Sequence, residues 1–292
     1  MRSVFLILLS ISNAWPLVLK RGVSHWQLLS SVITGVLIAS AILSGTVIYF
    51  DSLKELALQN SLDKLTPTET NILIKAVRGP SNLDEYGKVA NIVTNRIDSN
   101  INWLLEDIKH GGKTATFYMS PPGQESNASN DNARAFFAFL PELSSNITIN
   151  PGGKMPEEPT QIPTAGIPLS IEAIIPADAA ELFGLKEGDH LSAIPFWAEK
   201  NFYADVTVTG IFHRDNPENA IWSISDNIFA SATKGDFRTI PLYISEDSYL
   251  SFLGETFTNM DSSYVWLLDI DRSKLDASNA GQALTNMISM EK

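Results

Sequence analysis

The stretch ELFGLKEGDHLSAI, Glu181 to Ile194, decides how the chain folds. Its first residues read as the end of a short helix. Gly184 supplies the left-handed turn that stops it, and Gly188-Asp189 makes a tight turn into an apolar strand. Leu182, Phe183 and Leu185 are expected to plug a small barrel or sheet. Those demands are structural, so unrelated folds share such a corner; the strand–helix–strand order of residues 71–120 is what points to an α+β sandwich with one helical layer on a sheet.

Outward from this corner the pattern alternates between strands and helices. Leu169–Ile175 is an apolar run and Ala177–Phe183 a short helix. DVTVTGIF (Asp205–Phe212) sets Val206, Val208 and Gly210 against Thr207, Thr209 and Ile211, as a half-buried antiparallel strand does. TIPLYIS and SYVWLLDID read as further strands. Upstream, NILIKAV (Asn71–Val77) is a short strand ended by Arg78-Gly79-Pro80. Ser81 and Asp84 resemble a capping box, opening a long helix through Leu83, Tyr86, Val89, Val93, Ile97, Ile101, Leu104 and Ile108. Lys109, His110 and Gly111-Gly112 read as its basic last turn and glycine cap. TATFYMS (Thr114–Ser120) and ARAFFAFL are predicted strands on either side of the polar loop Pro121–Asn132. Asn150–Pro168 holds five prolines in 19 residues and reads as an extended linker, the expected boundary between two small α/β subdomains. An amphipathic helix from Ser273 to Met290 closes the pattern, with Leu275, Ala280, Leu284, Met287 and Ile288 on one face.

Ahead of all this, Leu28–Phe50 is 23 residues without a charge. As a helix it is roughly 35 Å long, enough to cross a hydrocarbon core of about 30 Å. Trp26 and Tyr49 stand at its two ends, where interfacial aromatics belong. Lys20-Arg21 precede it and Asp51 follows, so the positive-inside rule places residues 1–26 in the cytoplasm or at its interface and the main domain outside. Ser31, Gly35 and Ala39 form a small-xxx-small stripe suited to packing on another membrane helix. Residues 51–66 continue as a stalk helix stopped at Thr66-Pro67, and 67–292 form the extracytoplasmic domain. Residues 3–19 are apolar but short for a span and broken by Asn13 and Pro16. A signal peptide, an interfacial helix and a segment upstream of the natural start remain open for them.

Composition narrows the function. With 44% hydrophobic and 18% charged residues the chain is globular in type. All 33 acidic residues but only 18 of the 21 basic ones lie beyond residue 50, a net charge of −15 there. That excludes the basic footprint of a nucleic-acid binder. Cys is absent, which removes disulfides, thiolate metal sites and a cysteine nucleophile.

Catalytic motifs fail in detail. HRDNPEN (His213–Asn219) lacks the Mg²⁺-binding Asn of a kinase catalytic loop, whose place is taken by Ala220. GGKT (Gly111–Thr114) has Asp107 where a P-loop needs its first Gly. DIDRSKLD (Asp269–Asp276) lacks the central Gly and terminal Glu of a Ca²⁺ loop. The four His are scattered, with neither H-E-x-x-H nor G-x-S-x-G. The reading is therefore non-enzymatic, with no catalytic residue, metal or cofactor expected.

Peptide-binding PDZ domains use a similar Gly-Asp corner, but they need a carboxylate-binding loop and strand where this chain has its Pro-rich stretch. Taken together, the membrane helix, VIYFDSLKELALQNSL, NILIKA, LFGLKEGDHL, VTVTGIF with the following Trp222, and YVWLLDID resemble the N-terminal part of FtsX-like/MacB-type ABC-transporter permeases, over about residues 20–290. The resemblance implies one membrane helix leading into an extracytoplasmic domain of two α/β subdomains (MacB-like periplasmic core type). It implies partners too: a separate cytoplasmic ABC ATPase subunit, and further permease membrane helices or a second permease copy. ATP-driven motion would then be relayed to export or extraction of an envelope substrate. The pattern stops at Lys292, where the family returns to the membrane, so a truncated or split permease or a single-pass descendant is expected. The alternative is a single-pass sensor or scaffold whose ectodomain binds a peptide or an envelope protein. A membrane-anchored hydrolase lacks its constellation.

Overall fold

The structure is a computed structural model that describes residues 20, 26–130, 132–160, 167–197, 202–229 and 238–290. Residues 3–19, the undecided apolar segment, lie outside them. The chain divides into two units, Met1–Asp63 with Asp276–Ser278, and Lys64–Leu275 with Asn279–Lys292.

The first unit is dominated by one helix, α1, Trp26–Leu62. At 37 residues it is about 55 Å long. Every residue from Trp26 to Lys54 is exposed, so the apolar stretch has no protein cover. The helix is long and apolar enough to cross a membrane. Its hydroxyls turn inward on their own backbone. Ser31 Oγ donates to Leu28 O at 3.0 Å, Thr46 Oγ1 to Ile42 O at 2.7 Å, and Ser40 Oγ to Val36 O. A side chain facing lipid has no water to satisfy it, so such back-bonding removes the cost. The charged stalk continues the same helix and ends at Leu62, with Glu69 accepting from both the N–H and the hydroxyl of Thr66 just beyond.

In the second unit the order is β1 (Ile72–Gly79), α2 (Leu83–Asn100), β2 (Leu105–Thr114), β3 (Phe117–Ser120), β4 (Ala133–Phe139), β5 (Ile147–Ile149), β6 (Leu169–Pro176), α3 (Ala177–Phe183), β7 (His190–Pro195), β8 (Ala204–Arg214), β9 (Arg238–Tyr243), β10 (Ser262–Ile270) and α4 (Ala280–Met290). Strands β4, β3, β7, β8, β6 and β9 run in that spatial order, and β9 returns to β4. They form a six-stranded barrel. β4 and β9 are parallel over Ala133–Ala138 and Arg238–Tyr243, as are β6 and β8, while the remaining barrel neighbours are antiparallel. Antiparallel strands β1, β10 and β2 extend the sheet, joined to the barrel where Gly112 and Lys113 of β2 meet Phe139 and Ala138 of β4. The Pro-rich stretch connects β5 to β6, two strands of this same continuous sheet.

Burial follows strand periodicity. Along β8, Ala204, Val206, Val208, Gly210 and Phe212 are buried and the residues between them half-exposed. β4 differs: Phe136 and Phe137 point opposite ways yet both are buried, because one cluster fills the barrel and a second covers its outer wall. In the second cluster Trp222 stacks on Phe212, lies under the Arg214 guanidinium, and donates its Nε1–H to Asn216 O at 2.9 Å. Asp226 holds Arg214 by two bonds of 2.6 and 2.8 Å.

The long helix expected from Ser81 to Gly112 is shorter than its period implied. It stops at Asn100, and Leu105–Thr114 is a strand paired with β10 from Leu105↔Ile270 to Thr114↔Ser262. Gly111 and Gly112 are therefore not a cap. A Cβ on Gly112 would sit 2.5 Å from Phe139 Cε1, so the glycine admits two aromatic rings to the strand. Ser81 does not cap α2 either. Asn82 does, its Oδ1 accepting the Glu85 N–H at 2.9 Å. Ser81 is buried instead, bonded to Met260 O and, at 2.7 Å, to Ser262 Oγ, which also accepts from Tyr249 OH at 2.8 Å. In the terminal segment the helix begins at Ala280 rather than Ser273, with a 3₁₀ turn at Arg272–Lys274 ahead of it.

This buried hydroxyl network brings Gly254 against the backbone of Ser81. A Cβ there would lie 1.9 Å from Ser81 O. Gly254→Ala is expected to cost about 3 kcal/mol, the upper range for overpacking, and to lower the melting temperature by roughly 6–12 °C. Gly87→Ala, mid-helix with nothing near its Cβ, should instead stabilise by about 0.5–1 kcal/mol. Burial also pushes the hydroxyls of Tyr243 and Tyr264 up to about 12 and that of Tyr249 well above the usual tyrosine range. These groups stay protonated in the folded chain after the unfolded chain would lose its protons at about 10. Their stabilisation is whole below pH 10 and is lost as pH rises from there towards 12. Alkaline titration should show a late phase of tyrosinate absorbance, from these buried residues, that grows together with loss of near-ultraviolet circular dichroism.

Candidate functional site

The corner at Gly184–Asp189 is built as its sequence demands. Helix α3 ends on Gly184 at φ 67°, with Leu185 N–H donating back to Ala180 O at 2.9 Å. Gly188 has φ 89° and donates its N–H to Val208 O at 2.7 Å. Val208 N–H returns a bond to Asp189 O at 2.9 Å, and the Asp189 carboxylate accepts the Lys186 N–H at 2.7 Å. The turn is thereby locked to the middle of β8 and aims β7 along it. Phe183 and Leu185 pack on the barrel cluster, but Leu182 is 53% exposed, so only two of the three expected plugs enter the core. The reason is geometric, since Leu182 lies on the outer face of a helix of seven residues. Ser31, Gly35 and Ala39 share one exposed face of α1, with nothing within 4 Å of where a Gly35 side chain would begin.

Three clefts mark the second unit. The first, about 600 Å³, is lined by Ile72, Leu73 and Ile74 of β1, Ile92, Val93 and Arg96 of α2, and Leu284, Met287, Ile288 and Met290 of α4. The two helices are joined beside it by Asn286 Nδ2–H to Asn100 O at 2.7 Å. A second cleft, about 280 Å³, holds His110 and Glu246 paired at 2.9 Å between Phe139 and Tyr243. A third, about 530 Å³, gathers Glu106, Asp107, Asp269 and Asp271 around Lys109 and Arg272. Partial burial opposes the charge on Lys109, but the bond from Asp269 at 3.1 Å and the charges of Glu142 and Asp107 outweigh it and raise its pKa.

Among the described residues none of these clefts pairs a hydroxyl with a histidine base. His110 has its carboxylate, but no hydroxyl or thiol stands beyond it among the cleft's side chains except Ser144, Tyr243 and Ser245, none bonded to the imidazole. His190 lies 3.4 Å from both Asp205 and Thr207 at the exposed start of β7. Among the described residues no three His, Asp or Glu converge as metal ligands. The near-motifs are dispersed too: GGKT lies inside β2 and His213 near the end of β8.

Sequence reasoning did not find the apolar groove. One signal was present: Ile92 stands beside the buried period of α2, and at 62% exposure it faces away from the core. Of the apolar face Leu275, Ala280, Leu284, Met287 and Ile288, Leu275 and Met287 pack on the core beside the buried Ala283, while Leu284 and Ile288 are 60% and 49% exposed.

No protein-family model matches the chain, and no curated protein matches it either. The corner itself is open to direct test. Gly188→Ala forces a side chain into the left-handed region and is expected to cost about 1–2 kcal/mol. Asp189→Ala removes one acceptor and should cost about 1 kcal/mol. Both would be read as lowered denaturant midpoints of the detergent-solubilised chain.

Proposed function

We propose that the chain is the membrane-anchored, extracytoplasmic part of an ABC-transporter permease of the FtsX/MacB kind. A separate cytoplasmic ATPase drives it, and further membrane helices act with it. The observation that carries this reading is α1. Its uncovered apolar stretch passes without a break into the charged segment Asp51–Leu62, so membrane span and stalk are a single rigid element. A rigid helix transmits displacement and rotation where a flexible linker would absorb them. The α/β domain that follows, with no catalytic or metal constellation among its described residues, suits mechanical relay to an envelope substrate more than chemistry. In this reading the chain hydrolyses nothing itself, and Ser31, Gly35 and Ala39 pack on a neighbouring membrane helix.

The second reading, a single-pass sensor or scaffold, is favoured by the exposed apolar groove between α2, α4 and β1, because such surfaces on a domain commonly mark a partner. Co-purification separates the two. The tagged chain is taken from native membranes in mild detergent and its companions are identified by mass spectrometry. An ABC ATPase present in stoichiometric amount is the expected result, reduced by at least about tenfold in Gly35→Leu, which fills the small-residue stripe. Recovery of the chain without an ATPase, at native expression and in several detergents, would leave the sensor reading.

A further inference from the structure

The groove does more than expose apolar side chains, because it runs beside a free strand edge. β1 has β10 as its one partner strand among the described residues, and the other edge faces the wall made by α2 and α4. In an antiparallel pair every second residue turns its N–H and C=O away from the partner. Within Ile72–Ile74 the residues of that alternating set therefore turn these groups towards the groove. We propose that this groove is a docking site for an extended, acidic and apolar peptide strand of a partner protein, added to the edge of β1.

Backbone chemistry, apolar surface and charge each select that occupant. The outward N–H and C=O groups of β1 need a partner with free backbone groups of its own. A strand has them. An acyl chain offers none, and a helix has already spent them on itself. Ile92, Leu284 and Ile288, at 62%, 60% and 49% exposure, offer pockets for alternate side chains of such a strand, whose other side chains face solvent.

The charge then fixes polarity. Among the described residues Arg96 is the one charged residue lining the groove, and the exposed edge residues Lys75 and Arg78 are basic as well, in a chain that is net −15 beyond residue 50. A second copy is a poor match. Two-fold pairing of β1 with itself would bring these like charges close to those of the second copy and two acidic bodies together. A strand carrying Asp, Glu or a free C-terminal carboxylate meets Arg96 instead.

The experiment is a selection with a random decapeptide library on the full chain in nanodiscs, counter-selected on Ile92→Asp. Ile92 is largely exposed, so that variant should keep the parent melting temperature, and Ile288→Asp serves as a second case. The expected enrichment is two or three alternating apolar residues with an acidic side chain or the C-terminal carboxylate at one end. A synthetic peptide of that pattern should bind the parent at least tenfold tighter than Ile92→Asp or Arg96→Glu, with Arg96→Lys intermediate. It should slow exchange of the groove-facing amides within Ile72–Ile74. Failure to enrich any pattern over Ile92→Asp overturns the proposal. So does enrichment of apolar residues at three- and four-residue spacing without protection of the β1 amides, which would mean a helix in the groove. Light scattering that shows a dimer dissolved by Ile92→Asp would assign the groove to a second copy. None of these outcomes depends on whether an ATPase co-purifies.

Discussion

The parallel ladder between β4 and β9 is the constraint on which the domain depends. It joins Ala133–Ala138 to Arg238–Tyr243, so that segments far apart in the chain close the sheet into a barrel. The other closing contact, β6 to β9, is a single bridge between Ile174 and Tyr243 and could not hold the barrel alone. Once β4 is fixed, both of its faces are committed. Phe137 enters the barrel and Phe136 the outer cluster, and its end at Ala138 and Phe139 receives β2. The extension β2–β10–β1 then hangs from this strand and ends in the one edge that meets the apolar groove.

Much of this was legible in short-range pattern. The alternation in Asp205–Phe212, the helix Ala177–Phe183 and the two corner glycines sit where the residues alone put them, because each is fixed by a local requirement of period or positive φ. The misreadings share a cause. Ile101, Leu104 and Ile108 kept a helical period by coincidence, since a turn at Asn102–Leu104 places the first two in the core and pairing with Leu268 places the third. Gly111-Gly112 read as a cap because nothing local reveals that Phe139 and Tyr264 crowd that strand. Barrel closure by β4 and β9 was likewise invisible, being a long-range parallel pairing with no turn signal between its strands. The groove escaped for the same reason, as its lining comes from three separate segments.

The function we propose rests on what is continuous and what is left open. One helix carries an apolar surface long enough to span a bilayer and a charged stalk without interruption, and the domain beyond it carries an exposed apolar groove. On the proposed reading, anchor, stalk and groove would together pass movement or information between a membrane and an envelope partner. The permease reading assigns the source of movement to an ATPase; the groove concerns the other end.

The anchoring and its direction are the centre of this account, and cysteine labelling tests them most directly. The chain contains no Cys, so single substitutions at Ser24, before α1, and at Ser61, near its end, give clean reporters. Both variants would be expressed in cells and treated with a membrane-impermeant maleimide before and after lysis. The account requires an uncleaved chain in the membrane fraction, with Ser61→Cys labelled in intact cells and Ser24→Cys labelled only after lysis. The reverse pattern, or a chain released from the membrane and shortened past α1, would contradict it.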